Sequence, residues 1–389
     1  MNNSFFTDIK VIRDAIDTKK LVVFAGAGVS IDAGVPSWNT LINEMKSDIN
    51  IPSNEQDYLR IAQMFFNERQ QKEYIDKIRT VLKHTKVKHN AIHEEIFNLN
   101  PEHILTTNYD DLFEQVINSK SLPFSVISKD NHFPYALNTK HLVKMHGDLS
   151  DTEIVLKEDD YIDYSLKHPL IEGFIKSVFV SKIVLFIGYS FSDINLKMII
   201  QTVRNILGKD FQNAYLLNLD KNFHPTQREY LKNKGIRVIN YYDANTDGEI
   251  DYISSYLKGA NSLQENYYKE CKDLSEIGQQ LLNFIRFISN YDKFNEPLSN
   301  KNVIDQIHYS LMRFSEFKSL PPNFLANLYP FNNSKKYVHH YESNSLLTKN
   351  GKLHDLFFNQ ITYSEYNEVI FNPPDELKLS ESQIKEYEK

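Results

Sequence analysis

The chain has 389 residues, of which 41% are hydrophobic, and a single cysteine, Cys271. Length and apolar content exclude a wholly disordered chain and allow more than one domain, and one cysteine excludes both an internal disulfide framework and a four-cysteine zinc site. A net charge of −7 with a pI near 6.0 gives no overall attraction to nucleic acid or to an anionic membrane.

In chain order, the start, MNNSFFTDIKVIRDAIDTKK, is charged and lacks the apolar centre of a secretory signal. The longest apolar runs, such as Leu21–Ala25 and Ile183–Ile187, are far too short to span a bilayer, so a cytoplasmic protein is expected. LVVFAGAG reads as a strand entering a glycine turn, and a helix is expected over 38–47. EQDYLRIAQMFFNERQQKEYIDKIRTVL has apolar residues three and four apart, giving one long helix or two. HILTTN is a short strand followed by a helix through DDLFEQVIN, and HLVKMHGD is another strand and turn. PLIEGFIKSVFVS reads as a helix, KIVLFIGYS as a buried strand, and DINLKMIIQTVRNIL as a helix with Asp193 as its N-cap. NAYLLNL and IRVINYY are further strands, and between them PTQREYLKNKG is a helix with Pro225 near its start and Gly235 near its end.

Strands alternating with helices predict an α/β fold, a Rossmann-like parallel sheet with helices on both faces. Such sheets hold ligands at the carboxyl ends of their strands. Near Gly259 the texture changes, which sets one domain at 1–260 and a second, mainly helical region at 261–389, with helical signals around 272–290 and 302–316. That second region carries no catalytic constellation and reads as a packing or oligomerisation module.

Four motifs follow strands. Gly26-Ala27-Gly28-Val29-Ser30 could let the backbone approach a phosphate, with free amides to bind it, or be a tight turn without a ligand. The ordinary dinucleotide fingerprint fits poorly, because Ile31 stands where its third glycine belongs. Asn108 and Asp110, in TTNYD, can line a pocket or serve helix capping. His146, in KMHGD, can be a general base or a structural histidine. Gly188 and Ser190, in GYSFSD, can contact a ribose or phosphate, or form a turn and cap. His89 and His93 lie four apart, but no third metal ligand is identifiable and a surface helix is expected there; EDDYIDY reads as a solvated acidic segment.

Taken together, in this order and strand context, GAGVS, TTNYD, KMHGD and GYSFSD resemble the sirtuin family over about residues 10–258. The resemblance implies NAD held by Gly26, Ala27, Gly28 and Ser30 at its diphosphate. It places Asn108 and Asp110 at the nicotinamide–ribose pocket, His146 as general base, and Gly188 and Ser190 at the adenosine ribose. Two departures stand out. The chain runs on from His146 without the paired CxxC zinc module of protein-deacylating sirtuins, and their Phe-Arg pair is replaced in Gly34-Val35-Pro36-Ser37-Trp38-Asn39. Trp38 either caps the nicotinamide pocket or is core. No zinc or other metal is expected, and protein deacylation is disfavoured.

These departures resemble the bacterial sirtuin-like NADases of antiphage defence, which implies hydrolysis of NAD to nicotinamide and ADP-ribose or a cyclised form. One branch of that group pairs a protein of about this length with a HerA-type ATPase, which implies such a partner and a homo-oligomer. The competing expectation is an NAD- or ADP-ribose-binding sensor without turnover.

Overall fold

The computed structural model describes residues 3–52, 54–82, 87–244, 253, 271 and 273–291. Apolar runs without polar alternation suit strands covered on both faces. Such runs supply most of a seven-stranded sheet: β1 (Leu21–Ala25), β2 (His103–Thr106), β3 (Phe124–Ile127), β4 (Lys140–Lys144), β5 (Ile183–Ile187), β6 (Ala214–Asn218) and β7 (Ile236–Asn240). The strand order is β3-β4-β2-β1-β5-β6-β7, and every pairing is parallel. The expected parallel α/β architecture is therefore present. β3 is an addition to the strands read from sequence. Its half-exposed middle residues, Ser125 and Val126, suit the sheet edge it occupies.

β1 lies at the centre, in register with β2 on one side and β5 on the other. After β1 the chain moves to the β2 side, and after β4 it crosses back to β5. The loops leaving β1 and β5 thus diverge at a topological switch point, where open α/β sheets form a crevice.

Before β1 runs α1 (Asn3–Asp17), which buries Phe5, Ile9 and Ile12 at helical spacing and packs against β1, β5 and β7. Between β1 and β2 come α2 (Trp38–Asp48), α3 (Tyr58–Leu82) and α4 (Ala91–Asn98). Of the two readings of 55–82, one long helix or two, the structure has the second: two helical segments joined at Gln70, whose φ of 63° breaks the helical backbone. α2 and α3 form a core of their own, which takes in Leu41, Ile42, Met45, Phe65 and Ile78 and also Tyr109, Ile154 and Leu156 from beyond β2 and β4. α5 (Leu112–Lys120) links β2 to β3.

After β4 come α6 (Glu158–Ile162), α7 (Tyr164–Lys167) and α8 (Pro169–Ser181). Then α9 (Ile194–Leu207) follows β5 and α10 (Pro225–Lys232) follows β6. One sheet face, with Val22, Phe24, Leu105, Val143 and Phe186, is covered by apolar residues of α8, α9 and α10.

A last helix, α11 (Glu276–Asn290), falls on the helical signal expected at 272–290. The first compact unit spans Met1–Ser289 and the second Asn290–Lys389, so α11, save its last residue, belongs to the unit that holds the sheet. Phe284 stacks on Phe5 and meets Tyr241 edge-on. Arg286 pairs with the buried Glu95 of α4 at 3.1 Å. Ser275 donates to Asp32 through both its amide and its hydroxyl, at 3.1 and 2.9 Å. The helical signal at 302–316 lies outside the described residues.

Candidate active site

The four motifs meet at the carboxyl end of the sheet. The tips of β1 and β5 are joined by backbone: the Gly26 amide donates to Ile187 at 2.9 Å and the Gly28 amide to Gly188 at 2.8 Å. A Cβ on Gly28 would lie 2.7 Å from the Gly188 carbonyl oxygen, and one on Gly26 at 2.5 Å from it. Gly188 itself has φ +61°. The glycines are thus required by the approach of two protein loops to each other.

This differs from the expectation of a turn full of free amides. Those of Gly26, Gly28, Val29 and Ser30 are all spent on protein carbonyls. The Ala27 amide takes no part in that set, and Ala27 is exposed at the tip. One open amide, with the short 3-10 turn Ala27–Val29 behind it, is what the motif offers an anion.

Beside this turn, Asn108 donates to the Gly26 carbonyl at 3.2 Å and to the Ser30 hydroxyl at 3.3 Å. Thr106 steers it there: its hydroxyl donates to the Ala25 carbonyl and accepts from the Asn108 amide. Asp110 accepts from the Leu112 amide at 3.3 Å and interacts with Ser30, so it faces the glycine turn and also caps the start of α5. Burial raises its carboxyl above the ordinary value, against the pull of Lys144. Ser30, Asn108 and Asp110 therefore form one cluster with the first turn.

Lys144 holds that cluster from below. It is wholly buried, and its ammonium donates to the carbonyls of Tyr109 and Asp110 at 3.2 and 2.8 Å, to Glu114 at 2.7 Å and to Asp148. Burial pulls its pKa down, but Glu114 and Asp148 outweigh that and hold it above the ordinary lysine value. Lys144 so ties the loop after β2 to the loop after β4, where His146 stands.

His146 is 1% exposed, between Tyr109 and Tyr161, whose ring centroids lie 6.4 and 5.4 Å from its own. Its Nε2 is 3.2 Å from Asp193 Oδ2, close enough for charge to act, yet neither ring nitrogen makes a well-directed hydrogen bond to protein. Asp193 is the expected N-cap of α9, accepting from the Leu196 amide at 2.8 Å, and its Oδ2 also accepts from Tyr161 at 3.1 Å. Tyr189, next to Gly188, likewise has a buried hydroxyl without a partner. Unpartnered buried polar atoms at His146 and Tyr189 are what a polar ligand or water would satisfy.

The remaining expected residues lie further out. Ser190 is exposed and shares a 2.9 Å hydrogen bond with Ser192. Trp38 is half-buried on the α2–α3 core with its ring 5.6 Å from Tyr109, contacts that describe packing.

Two segments read as solvent-facing turn inward. His93 is fully buried on α4, where it completes a capping box with Asn90 and meets Ser30 at 3.3 Å. Burial, then the neighbouring His89, lowers its pKa to about 3. EDDYIDY forms α6 and the start of α7, burying Asp160 and Tyr164 and bringing Tyr161 to His146. The inward set 160, 161 and 164 has helical spacing, a signal present in the sequence. Among the described residues no group of three His, Cys, Asp or Glu side chains is gathered to hold a metal, and no helix is long and apolar enough to cross a membrane.

Residues 102–239 match the model of the SIR2-like domain. The chain is 32% identical over 270 residues to defense-associated sirtuin 2 of Bacillus subtilis, covering 66% of this chain and 26% of that one. It is 27% identical over 319 residues to the NAD(+) hydrolase ThsA of Enterococcus faecium, covering 78% and 65%. Against the NAD(+) hydrolase ThsA of Bacillus cereus (strain MSX-D12) it is 31% identical over 229 residues, covering 57% and 48%. The chain thus spans less than two thirds of the length of each of these relatives. A solved Sir2 homologue in complex with NAD aligns with 72% of this chain and 94% of its own, at a TM-score of 0.37 and 12% identity.

Proposed function

For a chain that carries a SIR2-like domain, we propose an NAD+ glycohydrolase, which releases nicotinamide and ADP-ribose, or a cyclised ADP-ribose. The observation that carries the reading is the meeting of four strand-tip loops at the switch point, with Asn108 bonded to the glycine turn and His146 at the tip of β4. The names of the NAD(+) hydrolase relatives support the same chemistry.

In this reaction the bond between the ribose carbon and the nicotinamide nitrogen breaks, and its electron pair leaves with nicotinamide. The ribose carbon gains oxocarbenium character, and water adds to it while losing a proton. Ala27, at the exposed tip, and Gly188 and Ser190 would place the diphosphate and adenosine ribose, a positioning contribution. Asn108 would hold a ribose hydroxyl or the attacking water, and Asp110 the nicotinamide amide. His146 would take the proton from water or a ribose hydroxyl, a role typically worth about 10²- to 10⁴-fold.

The wider setting belongs to the same proposal. The chain acts in the cytoplasm in antiphage defence by depleting NAD, as a homo-oligomer regulated by assembly with a HerA-type ATPase. Unrestrained NAD loss is toxic, so the isolated chain is expected to be slow. The burial of His146 suits such a resting state, and equally favours a second reading, a sensor that binds NAD or ADP-ribose without turnover.

The test incubates the purified full chain with NAD, alone and with the candidate ATPase, and identifies products by mass. Nicotinamide and ADP-ribose should accumulate together, and Asn108→Ala or His146→Ala should cut release by at least about 10²-fold with the fold intact. Full turnover by both variants refutes the mechanism, whereas stoichiometric binding of intact NAD supports the sensor.

A further inference from the structure

A helix N-cap needs one side-chain oxygen, and Asn or Ser serves as well as Asp. Asp193 spends Oδ1 on the Leu196 amide, and that bond is the whole of its capping duty. Its other oxygen, Oδ2, stands 3.2 Å from His146 Nε2 and accepts from Tyr161 at 3.1 Å. We propose that Asp193, itself held by Tyr161, is the positioning residue for His146, orienting the imidazole and stabilising the positive charge it gains on accepting a proton. This rests on the reading of His146 as the base in NAD cleavage.

The surroundings support a carboxylate matched to a cation. The Asp193 side chain is 7% exposed, a place where an ionised carboxyl is costly unless paired and hydrogen-bonded. Burial works to raise its pKa, but the His146 imidazole, the Leu196 amide and the Tyr161 hydroxyl hold it below the ordinary carboxylate value. The other titratable groups around the pair are Tyr109, Tyr161, Tyr164, Tyr189 and His168. Burial raises all four phenols, with the charge of Asp193 adding to the effect, so they stay neutral. Burial lowers His168. Asp193 is thus the carboxylate that faces the imidazole among the described residues.

The proposal also gives the two ring nitrogens different roles. With the carboxylate 3.2 Å from Nε2, the pairing needs the proton of the neutral ring on Nε2 and leaves Nδ1, which has no hydrogen bond to protein, to accept. Tyr161 reaches Oδ2 from α6, so the unit spans the loop after β4, α6 and the start of α9.

The test measures nicotinamide release by the full chain against pH for wild type, Asp193→Asn, Tyr161→Phe, His146→Ala and the double variant His146→Ala/Asp193→Asn. Asp193→Asn retains a capping oxygen for Leu196. It should leave KM for NAD within about threefold while kcat falls by about 10²- to 10⁴-fold. The acid limb of kcat should move to lower pH, with Tyr161→Phe intermediate. In the His146→Ala background the second change should cost nothing further, as for groups acting as a unit. An Asp193→Asn enzyme with wild-type kcat and pH profile, or the same loss with and without His146, overturns the proposal.

A substrate-free measurement separates this idea from the NAD reading. The carboxyl resonance of Asp193, titrated in labelled full chain, should show a higher midpoint in His146→Gln than in wild type. A wild type that releases no nicotinamide, alone or with the candidate ATPase, refutes the NAD reading. The titration then decides on its own: a raised midpoint supports the coupled pair, and an unmoved one overturns it.

Discussion

Replacing Lys144 by methionine tests the link between the Asp110 and His146 loops most directly. Methionine keeps an unbranched apolar stem of similar length and removes only the cation. The ammonium is wholly buried and serves two carboxylates and two carbonyls, so no solvent screening reduces its role. Removing one partner from a buried ionic cluster typically costs about 3–5 kcal/mol, because charge is left buried and unpaired. Lys144→Met should therefore lower unfolding stability by about 4 kcal/mol in urea titration of the full chain. Restoring balance with Glu114→Gln and Asp148→Asn in the same chain should recover at least half of the loss.

The pH dependence of that deficit has a definite sign. Lys144 holds Asp148 below the ordinary carboxylate value against burial, while burial keeps Glu114 above it. Without the cation, burial raises both carboxyls in the folded state above their unfolded values. A group raised in this way contributes stability at low pH and loses it as pH rises through its folded value. The gap between variant and wild type should thus narrow as pH falls from 7 towards about 4. A Lys144→Met chain within about 1 kcal/mol of wild type at pH 7 would refute the reasoning.

Two further outcomes are expected. Gly28→Ala places a methyl 2.7 Å from the Gly188 carbonyl oxygen and 2.8 Å from its Cα, so the two loops must part. A stability loss of about 1–3 kcal/mol and a KM for NAD raised about tenfold with kcat little changed should follow; an unaltered KM would count against the loop assignment. His93, lowered to about 3 by burial and then by His89, stays neutral when folded but is protonated when unfolded below its ordinary value of 6.5. Its contribution is present above that value and lost as pH falls towards the folded one, at about 1.4 kcal/mol per pH unit. The slope of stability against pH between 6 and 4 should be shallower in His93→Gln by about one proton; an identical slope would mean that the ring is not buried neutral.

The sheet was legible in the sequence because burial on both faces leaves unbroken apolar runs such as LVVFA and IVLFI, which few other elements produce. β3 carries no such mark, since an edge strand of four residues with an exposed centre looks like a loop. The motif loops were legible as strand ends because each follows an apolar run that forms a strand. Their wiring was hidden, because hydrogen-bond partners far apart in sequence leave no periodic trace. The close approach of the loops at Gly26, Gly28 and Gly188 likewise leaves no trace in the sequence. His93 and Tyr161 read as solvent-facing because polar neighbours masked their inward faces, and Lys144 carried no signal because a lysine is so seldom wholly buried.

The attachment of α11 has a practical side. Glu95 belongs to the helix whose His93 touches Ser30, and Asp32 lies two residues after Ser30, so Arg286 and Ser275 brace the surroundings of the glycine turn. Trimming the polypeptide at 260 would strip Glu95 of its guanidinium and open Phe5 and Tyr241 to water. A minimal fragment of the sheet domain should therefore be cut no earlier than the end of α11, at Asn290.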